Sequence, residues 1–350
     1  MKRFNLTESE KAAKISQHIH PEFPVTVGVV ILKGLCNLHC RMCPIHNVRF
    51  DQPEYMDRDT FDRLMDEIPD NGQINVELTA MGEPLLHGDI RYFIRRLGDR
   101  CRKNSTLLVT NGHFLSEEII DLILDARIDR LQVSLNAYGR ENYRWFTGSP
   151  AYERAVANLE RVIDKKAGAG NGIPHITTHI AGIREFEADF ARFLGQWEGK
   201  VELARIREIK DWSGVTRDNG ITPLLSEEIH CERYPCSWLW ESIEVYPSGD
   251  LYTCSFQPFF ATPPLGNIRT DSITDLWQGD SLRRLRQKHL AGRAADIDFC
   301  ERCTNWFLYP NFWERCGQES CEQNDVRWRL PDLEKNGIND EQKTLCAACG

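Results

Sequence analysis

Thirteen cysteines occur in this chain of 350 residues, and most of them fall into groups. Cys36, Cys40 and Cys43 put three thiols within eight residues. Three thiolates so close can wrap one metal centre. A structural zinc asks for a fourth ligand, for which His39 and His46 stand nearby. A cubane iron–sulfur cluster takes three cysteines and leaves one iron open to another molecule. A second set, Cys236, Cys254, Cys300 and Cys303, lies far down the chain. Cys300-x2-Cys303 alone reads as half a zinc knuckle. Cys101 is most simply a packed thiol. Cys346 and Cys349 form either a mobile dithiol, a metal clip or an incidental tail.

The elements that position these groups are legible from periodicity. Short apolar runs start at Thr26, Asn75, Thr106, Arg130, His175 and Val201. Amphipathic stretches separate them: Phe61, Leu64, Met65 and Ile68 behind a predicted N-cap at Asp59, then Ile90 to Leu97, and Ile119 to Ile123 behind Ser116. Tyr152–Ile163 and Phe186–Trp197 complete the set. Six strands alternating with helices predict an α/β chain with a parallel sheet closed or half-closed as a barrel. Gln132, Ser134 and Asn136 alternate with apolar neighbours, as do His175, Thr177 and His179. Strands covered on both faces read as unbroken apolar runs, so this alternation predicts one face lining a polar lumen. Beyond a boundary near 215 the pattern predicts a hairpin, with Ile243 and Val245 facing Leu251 and Tyr252, and one helix from Ser272 to His289.

Composition narrows the class. Forty-three basic against fifty-two acidic side chains give a net charge of −9, which argues against a nucleic-acid-coating protein. The first residues hold no apolar signal-type run, and Val25–Leu32 is too short to span a bilayer. The expectation is a cytoplasmic chain without membrane contact, and in a reducing compartment so many cysteines mean metal or redox chemistry rather than disulfides.

Cys36-x3-Cys40-x2-Cys43 directly after the first strand of a βα barrel resembles the radical S-adenosylmethionine (SAM) superfamily. Other segments continue the resemblance. Ala80-Met81-Gly82-Glu83-Pro84 is similar to the family's Gly-x-Gly-Glu-Pro, Thr110-Asn111-Gly112 ends strand three, and Ser134-Leu135-Asn136-Ala137 ends strand four. Ala80 and Asn136 depart from the family's glycine and aspartate, and Met42 stands where an aromatic usually flanks the adenine. The resemblance implies that Cys36, Cys40 and Cys43 hold a [4Fe-4S] cluster whose open iron binds SAM. It further implies SAM contacts from Met42, Gly82, Glu83, Thr110, Asn111, Ser134, Asn136 and His179, and a 5′-deoxyadenosyl radical as the working oxidant. An ammonium needs acceptors, which is the chemical sense of Glu83.

The second half resembles the SPASM/twitch extension of that superfamily. Cys236 and Cys254 span the hairpin, Leu265-Gly266-Asn267-Ile268 and a helix follow, and Cys300-x2-Cys303 closes the set. This implies an auxiliary [4Fe-4S] cluster. Cys231, Cys316, Cys321, Cys346 and Cys349 could complete a second one, although Cys303-x12-Cys316 exceeds the family's short spacer. The implied architecture is a partial (β/α)6 radical SAM barrel over 25–215, an extension over 1–24, and a SPASM/twitch segment with a cysteine-rich tail over 216–350.

A fully ligated auxiliary cluster has no iron for substrate, so its use is to carry an electron. That suits oxidation of a hydroxyl-bearing carbon. The spacing resembles the radical SAM dehydrogenases of sugars and aminocyclitols, fed by a flavodoxin- or ferredoxin-type reductant. Lumen-facing candidates to take the proton or anchor the substrate are His179, Arg205, Arg207, Glu208 and Lys210, with Arg207 and Glu208 preferred. Three alternatives stand beside this reading. They are a peptide-modifying maturase, an epimerase in which Cys316 or Cys321 donates hydrogen, and a non-catalytic iron–sulfur or zinc scaffold.

Overall fold

A computed structural model describes residues 22–46, 52–170, 172–209, 212, 219–224, 233, 235–260 and 262–308. Lys210, Cys231, Cys316, Cys321, Cys346 and Cys349 lie outside the described residues. Among the described residues, no helix is long and apolar enough to cross a membrane.

The first strand, β1 (Thr26–Lys33), pairs antiparallel with the two-residue β2 (Glu54–Tyr55) and parallel with β3 (Asn75–Met81). Then β4 (Ser105–Thr110), β5 (Arg130–Asn136), β6 (His175–Gly182) and β7 (Leu203–Glu208) follow in parallel and in sequence order. Helices α1 (Arg58–Glu67), α2 (Ile90–Arg100), α3 (Glu117–Asp125), α4 (Arg140–Thr147), α5 (Tyr152–Ala169) and α6 (Phe190–Trp197) connect them. Fully buried Val29, Leu78, Leu108, Leu131 and Val133 from the strands meet Phe61, Phe93, Leu97 and Leu159 from the helices. This is the expected half-barrel. Six parallel strands in order bury one face under helices, which is why their positions read from period alone.

The opposite face carries the polar residues. Register aligns Leu107 with Arg130, Gln132 with Thr177, and His179 with Arg205, so these side chains share the inner face. Gln132 and His179 are nonetheless buried.

Three local expectations are corrected. Helix α1 is capped by Asp57 rather than Asp59: its Oδ1 accepts from Thr60 N–H at 2.7 Å, ahead of the apolar stripe. The predicted helix from Ser272 is two, α8 (Ile273–Gln278), counted after α7 (Trp238–Glu241), and α9 (Asp280–Leu290). Extended Gly279 (φ −69°, ψ 162°) breaks the pattern between them. In the hairpin β8 (Ser242–Val245) and β9 (Asp250–Tyr252), Glu244 faces Tyr252 and Val245 faces Leu251, because the turn closes tightly from Tyr246 N–H to the Asp250 carbonyl.

The hairpin is not a separate sheet. β8 runs parallel to β1 on the side opposite β3, and β10 (Gly266–Asn267) adds beyond β9, giving one ten-stranded sheet. The segment after β10 is clamped to α1. Arg269 reaches Asp57 at 2.7 Å, and Glu67 accepts from Ile273 N–H at 2.7 Å. A last short helix, α10 (Asp298–Glu301), carries Cys300.

Candidate active site with two cysteine centres

The loop after β1 carries Cys36, Cys40 and Cys43 and is held from both sides by backbone bonds. Gly34 N–H donates to the Met81 carbonyl at 2.8 Å, His39 N–H to Thr147 at 2.8 Å, and Arg41 N–H to Phe146 at 2.9 Å. Arg41 also donates to the Trp145 carbonyl at 2.8 Å and stacks over that indole at 4.6 Å. The loop geometry therefore belongs to the scaffold rather than to the thiols. Burial pushes the Cys36 thiol up to about 11 and Cys43 to about 12, and raises Cys40 well above the ordinary thiol.

Glu83, Thr110 and Asn111 meet beneath this loop. Glu83 is buried, and its Oε1 accepts from Thr110 Oγ1 at 2.6 Å and Leu85 N–H at 3.1 Å. Its Oε2 accepts from Asn111 N–H at 2.8 Å. Burial still pushes the carboxyl up to about 7, against these three donors. Gly82 is where the loop rests: a Cβ there would lie 2.1 Å from the Leu35 carbonyl oxygen, and Glu83 N–H donates to the same oxygen at 2.9 Å. Gly82→Ala should force the Cys36 loop off the sheet. The expected outcome is loss of SAM binding by calorimetry with the fold retained by circular dichroism, and wild-type affinity would refute the contact.

Asn136 ends β5 in the left-handed region at φ +63°, at a register shift, and is buried with Oδ1 lacking a partner among the described residues. An acceptor buried without a partner at the C-terminal end of a strand is available to a ligand. Ser134 is half-buried two residues before it, and Met42 packs half-buried against the core. Sequence reasoning missed a chain of polar groups behind the loop. Asn111 Nδ2 donates to Asn37 Oδ1 at 2.8 Å, Asn37 Nδ2 meets His113 Nδ1 at 2.8 Å, and His113 Nε2 meets Tyr143 OH at 2.7 Å. The signal for it was present, since His113 directly follows Thr110-Asn111-Gly112.

The four distal cysteines come together. Cys236, Cys254, Cys300 and Cys303 line one cavity with Arg233, His289, Phe299 and Trp306. Burial raises all of Cys236, Cys254 and Cys300, and neighbouring thiols raise them further. Backbone N–H groups already aim at sulfur: Phe256 at Cys254 Sγ (3.4 Å), Asn305 at Cys303 Sγ (3.3 Å) and, at the first centre, Leu38 at Cys36 Sγ (3.4 Å). Grouped, buried thiols with N–H donors on sulfur fit a cationic iron–sulfur core that takes them as thiolates. Among the described residues, no three His, Cys, Asp or Glu side chains close on a single-ion position. Cys101 is buried behind α2, as a packed thiol should be.

On the inner face of the sheet, His179 projects from β6 on the face it shares with Arg205. It is buried, Nδ1 has no partner among the described residues, and burial together with the Arg207 and Arg205 charges holds its pKa well below the ordinary imidazole. Arg207, aligned with Ala181, lies on the same face, whereas Glu208 aligns with Gly182 and falls on the opposite one. Burial pushes Glu208 up to about 7. Val30, Met81, Ile45 and Tyr246 form a small apolar cluster against Cys43.

Residues 30–195 match the Radical SAM superfamily and residues 236–304 match SPASM, an iron–sulfur cluster-binding domain. The chain is thus a radical SAM enzyme whose barrel binds a [4Fe-4S] cluster with SAM and whose SPASM domain binds an auxiliary cluster. Among curated relatives, a probable GTP 3′,8-cyclase of Saccharolobus islandicus (strain L.S.2.15 / Lassen #1) is 31% identical over 136 residues, 39% of this chain and 42% of that protein. One of the same name from Halobacterium salinarum (strain ATCC 29341 / DSM 671 / R1) is 25% identical over 224 residues, 58% of this chain and 60% of that protein. The chain spans about two fifths to three fifths of the length of these relatives. In structure, BtrN in complex with AdoMet and 2-DOIA aligns with a TM-score of 0.54 at 18% identity, covering 80% of this chain and 93% of BtrN. Streptococcus suis SuiB bound to S-adenosylmethionine aligns at 0.58 and 16% identity, covering 78% and 70%. Both likenesses concern the fold.

Proposed function

We propose that this radical SAM enzyme oxidises a hydroxyl-bearing carbon of a small polyol, of sugar or aminocyclitol type, with 25–215 as the reaction barrel and 216–350 as the auxiliary segment. The observation that carries the reading is His179, a buried imidazole without a partner on Nδ1, set on the lumen face beside Arg205 and Arg207. When bound, SAM with its cluster supplies a carbon radical that removes hydrogen from a C–H bond, and the auxiliary cluster supplies an electron acceptor. The chain's own residues handle the rest. His179 stays neutral at physiological pH and takes the hydroxyl proton on Nδ1; the two guanidinium groups prevent the proton from resting there. Arg207 donates to substrate hydroxyls and orients them. Geometry ranks before proton affinity in choosing a base, so Glu208, on the other face, takes no part in the transfer, and His179 hands the proton on to solvent.

The reductant is a flavodoxin- or ferredoxin-type protein. Supporting this, His39, Arg41 and Arg144, against the single carboxylate of Glu141, line an open hollow beside the cluster loop on a chain of net charge −9. All eight described cysteines are free thiols, in keeping with a cytoplasmic setting. The test is a screen of sugar alcohols, aminocyclitols, GTP and peptides for substrate-dependent 5′-deoxyadenosine release, repeated with His179→Phe. On the true substrate the variant should still cleave SAM but form oxidised product about a hundredfold more slowly. Undiminished product from His179→Phe, or turnover of peptides alone, would end the proposal.

A further inference from the structure

His289 has no part in the reading above, yet it ends in the auxiliary cavity. It sits in the last turn of α9, whose Leu282 and Leu285 face the core at the same helical spacing. Only 2% of it is exposed. Its Nδ1 accepts a hydrogen bond from Cys236 N–H at 3.2 Å. A backbone N–H can only donate, so Nδ1 carries no proton, and the neutral ring must carry its proton on Nε2. That Nε2–H is buried and has no acceptor among the described residues. A buried donor left unpaired costs about 1–3 kcal/mol, so native structures rarely keep one without a use.

The cavity wall shows what the donor is for. His289 lines it together with Cys236, Cys254, Cys300 and Cys303, whose four sulfurs outnumber the two side-chain oxygens there, those of Thr253 and Asn305. The amide oxygen of Asn305, on the same wall, also lacks a partner among the described residues, so the ring and this amide do not satisfy each other. Arg233 donates from Nη1 to the Cys300 carbonyl at 2.7 Å, while its Nε is a second buried donor without a partner among the described residues.

We infer that His289 is a positioning residue that donates its Nε2–H to a sulfur of the auxiliary cluster, and so holds that cluster's reduction potential above the value four thiolates alone would set. Hydrogen bonds to cluster sulfur stabilise the reduced, more negative state, which is the lever by which proteins raise such potentials. The same bond from Cys236 N–H fixes the tautomer, so the ligand's own backbone sets the donor. A cluster poised in this way accepts an electron more readily, which serves the oxidation proposed above. The inference rests on the four cysteines holding a cluster, not on the choice of substrate.

The experiment uses the full chain with Cys36, Cys40 and Cys43 replaced by alanine, so that only the auxiliary cluster is present, titrated anaerobically and followed by EPR. His289→Leu should retain about four irons per chain and move the midpoint to a more negative potential. His289→Gln, whose amide can still donate, should recover part of the shift. An unchanged midpoint in an iron-replete His289→Leu chain overturns the inference. Should His289→Leu lose its iron, the unsubstituted His289 chain labelled with 15N-histidine decides: a weak 15N coupling to the reduced cluster, of the size a hydrogen-bonded ring gives, supports the bond, and no histidine coupling at all overturns it. A strong 15N-histidine coupling, as from a directly bound nitrogen, overturns it in favour of ligation. A cysteine-trio variant with no iron or sulfide at all would instead refute the auxiliary cluster itself.

Discussion

A chain with Cys36, Cys40 and Cys43 all replaced by alanine is expected to form no 5′-deoxyadenosine under strong reductant, while keeping its fold and roughly half of the wild type's eight or so irons. The separation between folding and chemistry comes from how the loop is held. The bonds that tie it to the rest of the barrel run to the carbonyls of Met81, Phe146, Thr147 and Trp145, and the contacts that do use a thiol, such as Leu38 N–H to Cys36 Sγ at 3.4 Å, are long ones. Each Cys→Ala change removes one sulfur from a packed site at about 1 kcal/mol, within the range of ordinary core substitutions. The open iron that binds SAM is lost with its ligands, whereas Cys236, Cys254, Cys300 and Cys303 sit in a different cavity and are untouched. Iron and sulfide analysis beside a deoxyadenosine assay checks both halves. Undiminished cleavage of SAM would remove the basis of the active site, and loss of all iron would mean the two centres are not independent.

The same separation explains what the sequence could and could not disclose. Strands β1 and β3 to β7 were legible because each alternates with an amphipathic helix of fixed period, and the residues at their C-terminal ends followed automatically. Gln132 and His179 announced a polar face by alternation with Leu131, Val133 and Ile180, and register confirms that they share it. Non-local pairing leaves no such trace. Nothing in Ser242–Val245 says that it will lie against Thr26–Val29, more than two hundred residues earlier, so the hairpin read as a separate unit when it extends the same sheet. Gly28 is the only hint, since a Cβ there would approach Glu244 Cγ to 3.1 Å. The helix break at Gly279 was hidden because Leu276, Leu282 and Leu285 keep an almost unbroken apolar rhythm across it. His289 was invisible for another reason. A lone histidine late in a helix gains its role only when Cys236, fifty-three residues away, folds its N–H onto the ring. Glu208 shows the converse: a strand-end carboxylate that composition nominates, and a single step of register turns away from the lumen.

Glu83→Gln should separate stability from function more sharply than any other single change in the barrel. The wild-type carboxyl is pushed up to about 7 in the fold, against an ordinary value of 4.5. A raised carboxyl means that the folded chain holds its proton where the unfolded chain has released it. Glu83 therefore contributes most below pH 4.5, and that contribution is lost as pH rises through 7, a change of about 3 kcal/mol. Glutamine removes the charge but turns an N–H2 toward the Asn111 N–H that Oε2 accepts in the wild type, a loss of about 1–3 kcal/mol. The two effects nearly cancel at pH 8, so the variant should unfold at a similar denaturant midpoint there, with the pH slope between 5 and 8 flattened. Function should not be spared. The role the family resemblance gives Glu83 is to accept from the methionine ammonium of SAM, and a charged acceptor outbids an amide by about 1–2 kcal/mol, or about five- to thirtyfold in affinity. Wild-type affinity should itself fall about tenfold per pH unit below 7 as the carboxylate protonates, and the variant's should not. Calorimetry across pH 5.5 to 8.5 reads both curves. If Glu83→Gln binds SAM as tightly as wild type and with the same pH dependence, the buried carboxylate is a structural anchor for Thr110 and Asn111, and the ammonium is held elsewhere.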